Sequence, residues 1–280
     1  MSHDELTAKI EEIRSTARLQ SVAVSFFDSE NGASYSLQDD RWFHAASTFK
    51  VAILLAFAKA LESGELQPTD HLQIRNRFVS IRSGAVYRID KERDGDSSVH
   101  AHVGRSLPLH ELARVMITRS SNLATNLLLD LVGVEAVQRT LDQFGIEGID
   151  LRRGVEDERA FEHGVNNRVT ARGLASLLQL IVEGRAFTPE LSEGMLAILH
   201  EQEFRSGIPA QLPKGARIAH KTGEISTVSH DAGIVYPPAG APFVIAVLTE
   251  WDPEGGRRMN LIARASRVVY DHLAAGEDVA

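Results

Sequence analysis

The stretch Ser47-Thr48-Phe49-Lys50 opens a long apolar run and decides how the rest of the chain is interpreted. Residues 48–62 are rich in Ala, Leu and Ile almost all round, which predicts a buried helix that ends at Ser63-Gly64. Ser47 lies at the start of this helix, and Lys50 follows within one turn. A serine hydroxyl is a weak nucleophile unless a base lies within hydrogen-bond reach, and a lysine is such a base only when its pKa is lowered. The pair therefore predicts a nucleophile and its activating base.

Two shorter motifs follow downstream, Ser120-Ser121-Asn122 and Lys221-Thr222-Gly223. Taken singly, each of the three motifs is typical of ordinary structure, because serine caps helices and Lys-Thr-Gly suits the end of a strand. Their occurrence together, in this order, favours an acyl-transfer site built on an active serine.

The composition favours a globular protein that acts on a small molecule. The chain has 280 residues, of which 43% are apolar, and a formal net charge of -8. This length buries a full core, and no run of basic residues with interleaved aromatics marks a surface for nucleic acid or for an anionic membrane. The absence of cysteine excludes a disulfide framework, a thiolate metal site and a cysteine nucleophile.

The N-terminal residues show no basic region followed by an apolar one, and no stretch approaches the ~20 apolar residues that span a bilayer. We therefore expect a soluble chain without an export signal, cytoplasmic as written, and periplasmic or secreted if a leader is removed. The histidines show no metal-ligand spacing, and Gly255-Gly256 lacks a Gly-x-Gly-x-x-Gly context. No metal and no cofactor are predicted.

Secondary-structure signals divide the chain into two outer parts with both helices and strands and a middle part that is helical. Periodicity and turn residues predict helices over 4–17, 48–62, 108–117, 122–132, 134–144, 170–182, 189–199 and 257–273, and strands over 22–27, 33–37, 217–221, 231–236 and 243–250. Residues 73–106 mix charged residues with Gly and Ser, which predicts a long irregular segment at the rim of the site. The fold class is α+β, with an antiparallel sheet built from both ends of the chain. We expect one domain over 1–280, with an α/β lobe (1–47 plus 205–280), an all-helical lobe (48–204) and the site between them.

The three motifs and their surroundings resemble the class A serine β-lactamase and penicillin-binding protein superfamily, whose motifs are Ser-x-x-Lys, Ser-Asp-Asn and Lys-Thr-Gly. The likeness extends through 43–51, 120–129 and 220–223 and covers most of the chain. It implies the β-lactamase/transpeptidase-like fold and a mechanism in which Ser47 attacks a carbonyl and becomes acylated. It also implies that Lys50 takes part in proton transfer and that Ser120 relays a proton to the leaving group.

The same resemblance implies a set of substrate-binding residues, namely Asn122, Lys221, Thr222, Gly223, Glu224 and His230. Asn122 would bond a substrate amide, and Lys221 would add positive potential for a substrate carboxylate. The family's oxyanion hole, made of two backbone N–H groups, maps onto Ser47 and Glu224. His230 stands about where many class A enzymes carry a carboxylate-binding arginine, and a neutral imidazole lacks that fixed charge.

Class A enzymes release the acyl group with water activated by a glutamate of an Ω-shaped loop. Here the segment 152–162 holds three glutamates, none in the family's full Glu-x-x-Leu-Asn context. Glu156 is favoured by its distance from the second and third motifs, whereas Glu162, with Asn166, copies the Glu-to-Asn spacing. Ser121 replaces the family's Asp, which is expected to weaken a structural hydrogen-bond network more than the chemistry.

The leading hypothesis is a class A-like serine β-lactamase, a hydrolase that opens the β-lactam ring through acyl-Ser47. One alternative keeps the fold and hydrolyses esters or peptides, as a carboxylesterase or a D,D-peptidase-like protein. Another is a penicillin-binding or sensor module that becomes acylated and stays acylated. In each case the expected partner is a small-molecule β-lactam, ester or peptide, without nucleic acid or membrane, and we expect a monomer.

Overall fold

The computed structural model describes residues 2–28, 30, 32–251 and 259–277. Its helices are α1 (His3–Thr16), α2 (Lys50–Glu62), α3 (Leu109–Thr118), α4 (Asn122–Val132), α5 (Val134–Gln143), α6 (Glu158–Glu162), α7 (Ala171–Val182), α8 (Pro189–His200) and α9 (Met259–Glu277). Its strands are β1 (Leu19–Asp28), β2 (Ser34–Leu37), β3 (Phe43–His44), β4 (His71–Gln73), β5 (Phe78–Val79), β6 (Val86–Tyr87), β7 (Ser106–Pro108), β8 (Ile149–Asp150), β9 (Arg168–Val169), β10 (Arg217–Glu224), β11 (Val228–Tyr236) and β12 (Phe243–Trp251). Within this described part, no helix is both long and apolar enough to cross a bilayer.

The main sheet joins the two ends of the chain. Its five strands are antiparallel and lie in the order β10-β11-β12-β1-β2. β12 is buried on both faces, which is why its sequence is a continuous apolar run rather than an alternating one. On one face, Leu6 and Ile10 of α1 pack into a cluster with Ile245 and Val247 of β12. The other face is covered by α7, and the predicted α+β architecture is confirmed.

Helix α2 forms the centre of the helical part. Every residue from Lys50 to Ala58 is buried, as expected for a helix that is apolar all round, and α2 packs against α3, α4, α5 and α8. It begins at Lys50 instead of at the predicted residue 48, because Ala46 has a left-handed backbone and residues 46–49 form a turn. Ser47 therefore lies in this turn and not in the helix.

Two differences from the predicted elements come from pairing between strands. The irregular segment 73–106 contains one small ladder, in which β5 pairs with β6, and a second ladder, of β4 with β7, joins its two ends. β10 and β11 are longer than predicted because their cross-strand pairing continues through Gly223 opposite His230 and Glu224 opposite Ser229. The predicted start of the last helix at 257, Gly255-Gly256, and two residues of the 29–32 turn lie outside the described residues.

Candidate active site

The first motif lies where β3 leads into α2 through a strained turn. Ala46 has φ of 46°, an uncommon value for a residue with a side chain. His44 Nδ1 accepts the Ala46 N–H at 3.0 Å, and burial lowers the pKa of His44 to about 4, which keeps the ring neutral. The Asn167 carbonyl accepts the Ala45 N–H at 2.9 Å. Backbone strain of this kind persists only where surrounding contacts over-determine it, and it is concentrated at functional sites.

Lys50 is the first residue of α2, and its side chain is completely buried. Its Nζ lies 2.8 Å from the Ser120 carbonyl oxygen, 3.2 Å from Ser120 Oγ and 2.9 Å from Asn122 Oδ1. Burial lowers the pKa of Lys50 to about 7, against the opposing effect of the Asp94 and Glu156 carboxylates. An ammonium has three donors, whereas a neutral amine has two donors and a lone pair. Near neutral pH this amine can therefore accept a proton.

The Ser120 hydroxyl lies between two lysines. Lys221 Nζ donates to Ser120 Oγ at 3.1 Å and to the Thr222 carbonyl at 2.8 Å. Lys221 is completely buried, and burial together with the Lys50 charge holds its pKa well below the usual 10.5, with the Asp231 carboxylate opposing. Ser120 itself has φ of 58°, a second strained position at the site. A hydroxyl that contacts an amine on each side can pass a proton between them.

The third motif comes close to the first because Gly223 has no side chain. A Cβ on Gly223 would lie 2.8 Å from the Ser47 nitrogen and 3.0 Å from the Thr48 nitrogen. Only glycine allows β10 to pass this close to the turn, which brings the backbone of residues 223–224 beside the Ser47 N–H. Thr222 is buried next to Lys221 in β10, while Glu224 is exposed at the strand end.

Of the two candidate glutamates, the structure brings Glu156 to the motifs. Asn122 Nδ2 donates to Glu156 Oε1 at 2.9 Å, and the Asp90 N–H donates to Glu156 Oε2 at 3.1 Å. Because Asn122 Oδ1 also accepts from Lys50, one amide links the glutamate to the lysine. Glu156 has φ of 58°, a third strained position. Glu162 lies exposed at the end of α6.

A buried asparagine that sequence analysis missed holds the segment carrying Glu156. Asn126 Oδ1 accepts the Val155 N–H at 2.8 Å, and its Nδ2 donates to the Val155 carbonyl at 3.0 Å. A Cβ on Gly154 would lie 2.7 Å from Asn126 Oδ1, so a glycine is required next to these two hydrogen bonds. Asn126 lies inside a helix and its partner is distant in the sequence, so no local pattern marks it.

The structure does not place His230 where it could bind a substrate. The ring is completely buried, its Nε2 lies 2.9 Å from the His44 carbonyl oxygen, and the Thr249 N–H donates to its Nδ1 at 3.2 Å. Burial lowers the pKa of His230 to about 4. The imidazole is thus neutral and bonded to backbone on both sides, which corrects its predicted role as a substrate-binding residue.

Asp94 is a second residue that sequence analysis missed. Its side chain is completely buried, and its carboxylate accepts the Asn122 N–H at 2.6 Å and the Leu123 N–H at 3.0 Å. A run of Asp, Gly and Ser is typical of an exposed turn, so the sequence of this loop gives no sign that the Asp94 carboxylate is buried.

A cavity borders one of these groups, the Glu156 carboxylate. A mostly polar cavity of about 280 Å³ lies beside Glu156, Tyr87 and Arg93. Among the described residues, no three His, Asp or Glu side chains are grouped so that they could hold a metal ion. The site therefore combines a serine, two buried amines and a carboxylate, and the carboxylate borders this cavity.

Comparisons with known proteins agree on one family. Residues 5–273 match the family model described as the Beta-lactamase enzyme family. The β-lactamase of Amycolatopsis lactamdurans is 31% identical over 270 residues, which cover 92% of this chain and 81% of that protein. The β-lactamase of Streptomyces albus G is 28% identical over 261 residues, which cover 90% and 80%. The solved structure of PBP-A superposes with a TM-score of 0.79 at 30% identity and covers 96% of this chain and 97% of its own.

Proposed function

The chain belongs to the β-lactamase enzyme family, and on that premise we propose that it is a class A-like serine β-lactamase, which hydrolyses the β-lactam amide through acyl-Ser47. The observation that carries the proposal is the environment of Lys50. A completely buried amine with a pKa of about 7, held against Ser120 and Asn122, is suited to act as a base at neutral pH. We expect the protein to act as a monomer.

Acylation begins with proton transfer from Ser47. The neutral Lys50 amine takes the hydroxyl proton while Ser47 Oγ bonds to the carbonyl carbon and the carbonyl π electrons move onto oxygen. The N–H groups of Ser47 and Glu224 hold this oxyanion. As the carbon–nitrogen bond breaks, the ring nitrogen takes a proton from Ser120 Oγ. Ser120 regains a proton from Lys50, which gives up the one it took from Ser47 and becomes neutral again, and the contacts of Ser120 with both Lys50 and Lys221 support this relay.

Substrate binding uses the second and third motifs. Asn122 bonds the amide of the substrate side chain, and Lys221 attracts the substrate carboxylate with a charge that a buried site screens less than water does. Thr222 binds the same carboxylate. The Asn122 amide is already oriented by its bonds to Lys50 and Glu156, which favours a fixed direction for the incoming amide.

Deacylation uses Glu156 and one water molecule. The Glu156 carboxylate takes a proton from water as the water oxygen bonds to the acyl carbon. The carbon–Ser47 Oγ bond then breaks, and the proton on Glu156 passes by way of the Lys50 amine to Ser47 Oγ. The bond from Asn122 Nδ2 to Glu156 Oε1 supports this step, because Asn122 Oδ1 also contacts Lys50 and so holds the carboxylate close to the acylation site. The acid product leaves, and both side chains return to their starting protonation.

Intact-mass spectrometry during hydrolysis of benzylpenicillin and a chromogenic cephalosporin tests the proposal. We expect many turnovers with a transient adduct in the wild type, no adduct in Ser47→Ala, and a long-lived adduct in Glu156→Gln. Glu162→Gln is the matched comparison and is expected to turn over like the wild type. Turnover by Ser47→Ala would refute the nucleophile, and a long-lived adduct in Glu162→Gln alone would move the base to Glu162.

The burial of His230 favours a second candidate function, hydrolysis of uncharged esters or peptides on the same fold. With its imidazole neutral and bonded to backbone, the site lacks the fixed charge that an arginine would offer to a carboxylate, and Glu224 adds a negative charge at the exposed strand end. A kcat/KM for a simple aryl ester far above that for any β-lactam would establish this candidate. A stable adduct without turnover in the wild type would instead indicate a penicillin-binding or sensor module.

A further inference from the structure

The first turn of α4 needs an acceptor that its own motif does not supply. The N–H groups in the first turn of a helix have no partner within the helix. Ser121 Oγ accepts one of them, from Ala124, at 3.2 Å. The N–H groups of Asn122 and Leu123 need another acceptor. Both donate to the Asp94 carboxylate, at 2.6 and 3.0 Å.

Asp94 is itself fixed from several directions. His100 Nε2 lies 2.8 Å from Asp94 Oδ2 with only 7% of its side chain exposed, and the Asp96 N–H donates to Asp94 Oδ1 at 3.2 Å. A Cβ on Gly95 would lie 2.6 Å from the Arg119 carbonyl oxygen and 3.1 Å from that of Ser120. The loop therefore packs directly against the backbone of the second motif, and this packing seats the carboxylate at the helix end.

Three charged groups face the Lys50 amine. The Asp94 and Glu156 carboxylates both favour its protonated form, and Lys221 faces it across the Ser120 hydroxyl. The Asp90 N–H bonds Glu156, so the loop that carries Asp94 also touches the proposed deacylation base. A change at Asp94 should consequently alter both the position of Ser120 and Asn122 and the charge balance at Lys50.

We propose that Asp94 is a positioning residue that caps α4 from outside the second motif, in place of a carboxylate at position 121, and so holds Ser120 and Asn122 against Lys50. The proposal rests on the proposed function, because it assigns Asp94 a part in acylation of Ser47. The 3.5 Å separation between Ser121 Oγ and Asp94 Oδ2 places the two side chains at the same helix end. A carboxylate introduced at position 121 can therefore stand in for the one removed at position 94.

The test compares Asp94→Ala, Asp94→Asn and the double variant Asp94→Ala/Ser121→Asp. We expect Asp94→Ala to slow Ser47 acylation by about 10–100-fold, since small displacements of positioned groups cost this much. The double variant should recover most of that loss. Asp96→Asn is the matched control, because it removes the same charge two residues away and its carboxylate bonds the Ser98 N–H at 2.9 Å instead of the helix.

The pH profile of acylation distinguishes positioning from mere support of the fold. Loss of the Asp94 charge should move the acidic limb of the profile to lower pH in Asp94→Asn, which keeps the shape of the side chain, and the double variant should move it back. An unchanged limb in Asp94→Asn, wild-type acylation by Asp94→Ala, or a double variant no faster than Asp94→Ala would each overturn the proposal.

Hydrogen exchange separates failure of this inference from failure of the proposed function. Amides of residues 122 and 123 should lose protection in Asp94→Ala and regain it in the double variant, whatever the substrate. A wild type that no β-lactam or ester acylates would refute the proposed function, and these exchange rates would still decide whether Asp94 caps α4.

Discussion

Replacing Gly223 by alanine tests whether the close approach of β10 to the Ser47 turn builds the oxyanion hole. The added Cβ would lie 2.8 Å from the Ser47 nitrogen and 3.0 Å from both Ala46 Cβ and the Thr48 nitrogen. Since non-bonded carbon contacts are optimal from about 3.5 Å, the strand and the turn must separate by about 0.7 Å. All three clashing atoms belong to the turn itself, so no flexible side chain can absorb the shift.

The expected loss of activity follows from that displacement. Oxyanion donors act at about 2.7–3.1 Å, so a shift of about 0.7 Å takes one donor out of hydrogen-bond range. Losing one donor costs about 100–1,000-fold in kcat, or about 3–4 kcal/mol of transition-state stabilisation. Overpacking adds about 1–3 kcal/mol of lost folding stability, which is small enough to leave a folded protein for assay.

Single-turnover acylation with a chromogenic cephalosporin, together with thermal unfolding, measures both effects. Gly194→Ala is the matched control because Gly194 lies in α8 with nothing within 4 Å of an added Cβ. In that helix alanine is favoured over glycine by about 1 kcal/mol, so we expect equal activity and equal or higher stability. Acylation by Gly223→Ala within about threefold of the wild-type rate would refute the reasoning, because a lost donor costs far more.

Three further predictions concern Lys50 and Asn126. Acylation should rise with pH through about 7 and then level off, because Lys50 is a base only when neutral and burial sets its pKa at about 7; stopped-flow rates across that range measure it. Because this folded-state pKa lies below the 10.5 of the exposed lysine, the unfolded wild type binds more protons between the two values and its stability rises with pH there. Lys50→Met should therefore gain stability relative to the wild type as pH falls through this window, as urea unfolding would show. Asn126→Ala removes both bonds to Val155 and should cost about 2–4 kcal/mol in denaturant unfolding. It should also lengthen the lifetime of the acyl-enzyme more than it slows acylation, since Val155 precedes Glu156.

Elements with local start and stop signals were predictable from the sequence. Helix α4 begins at Asn122 and ends at Val132, as predicted, because Ser121 caps it and Gly133 ends it. β10 was predicted too short, since its last residues are held by pairing with β11 rather than by their own propensity. The start of α2 was displaced by the turn at Ala46, whose left-handed backbone is imposed by contacts from elsewhere.

The residues of the site also fall into two groups, those that the local sequence identifies and those that it does not. Short motifs predicted Ser47, Lys50 and Ser120 as site residues, because the chemistry expected of them depends on residue types at fixed spacing, and the structure brings Lys50 and Ser120 into contact. Asp94 was missed because its partners lie 28 and 29 residues away, and an aspartate beside glycine is typical of an exposed turn. The role expected of His230 depended on where its imidazole ring points. The ring is held by a bond to the His44 carbonyl, which is 186 residues away in the sequence, so no local pattern could reveal its orientation.

The pairing of β1 with β12 has a consequence for synthesis of the chain. Asp28 of β1 faces Phe243, which is about 215 residues further along. At about 5–20 residues per second, a ribosome needs roughly 10–40 s to make the intervening chain. For that time β1, with Val24 and Phe26 that end up buried, has no partner on its β12 side, and unpaired apolar strands are sites where aggregation begins. The time between making β1 and making β12 therefore sets how long the unfinished protein depends on protection by chaperones.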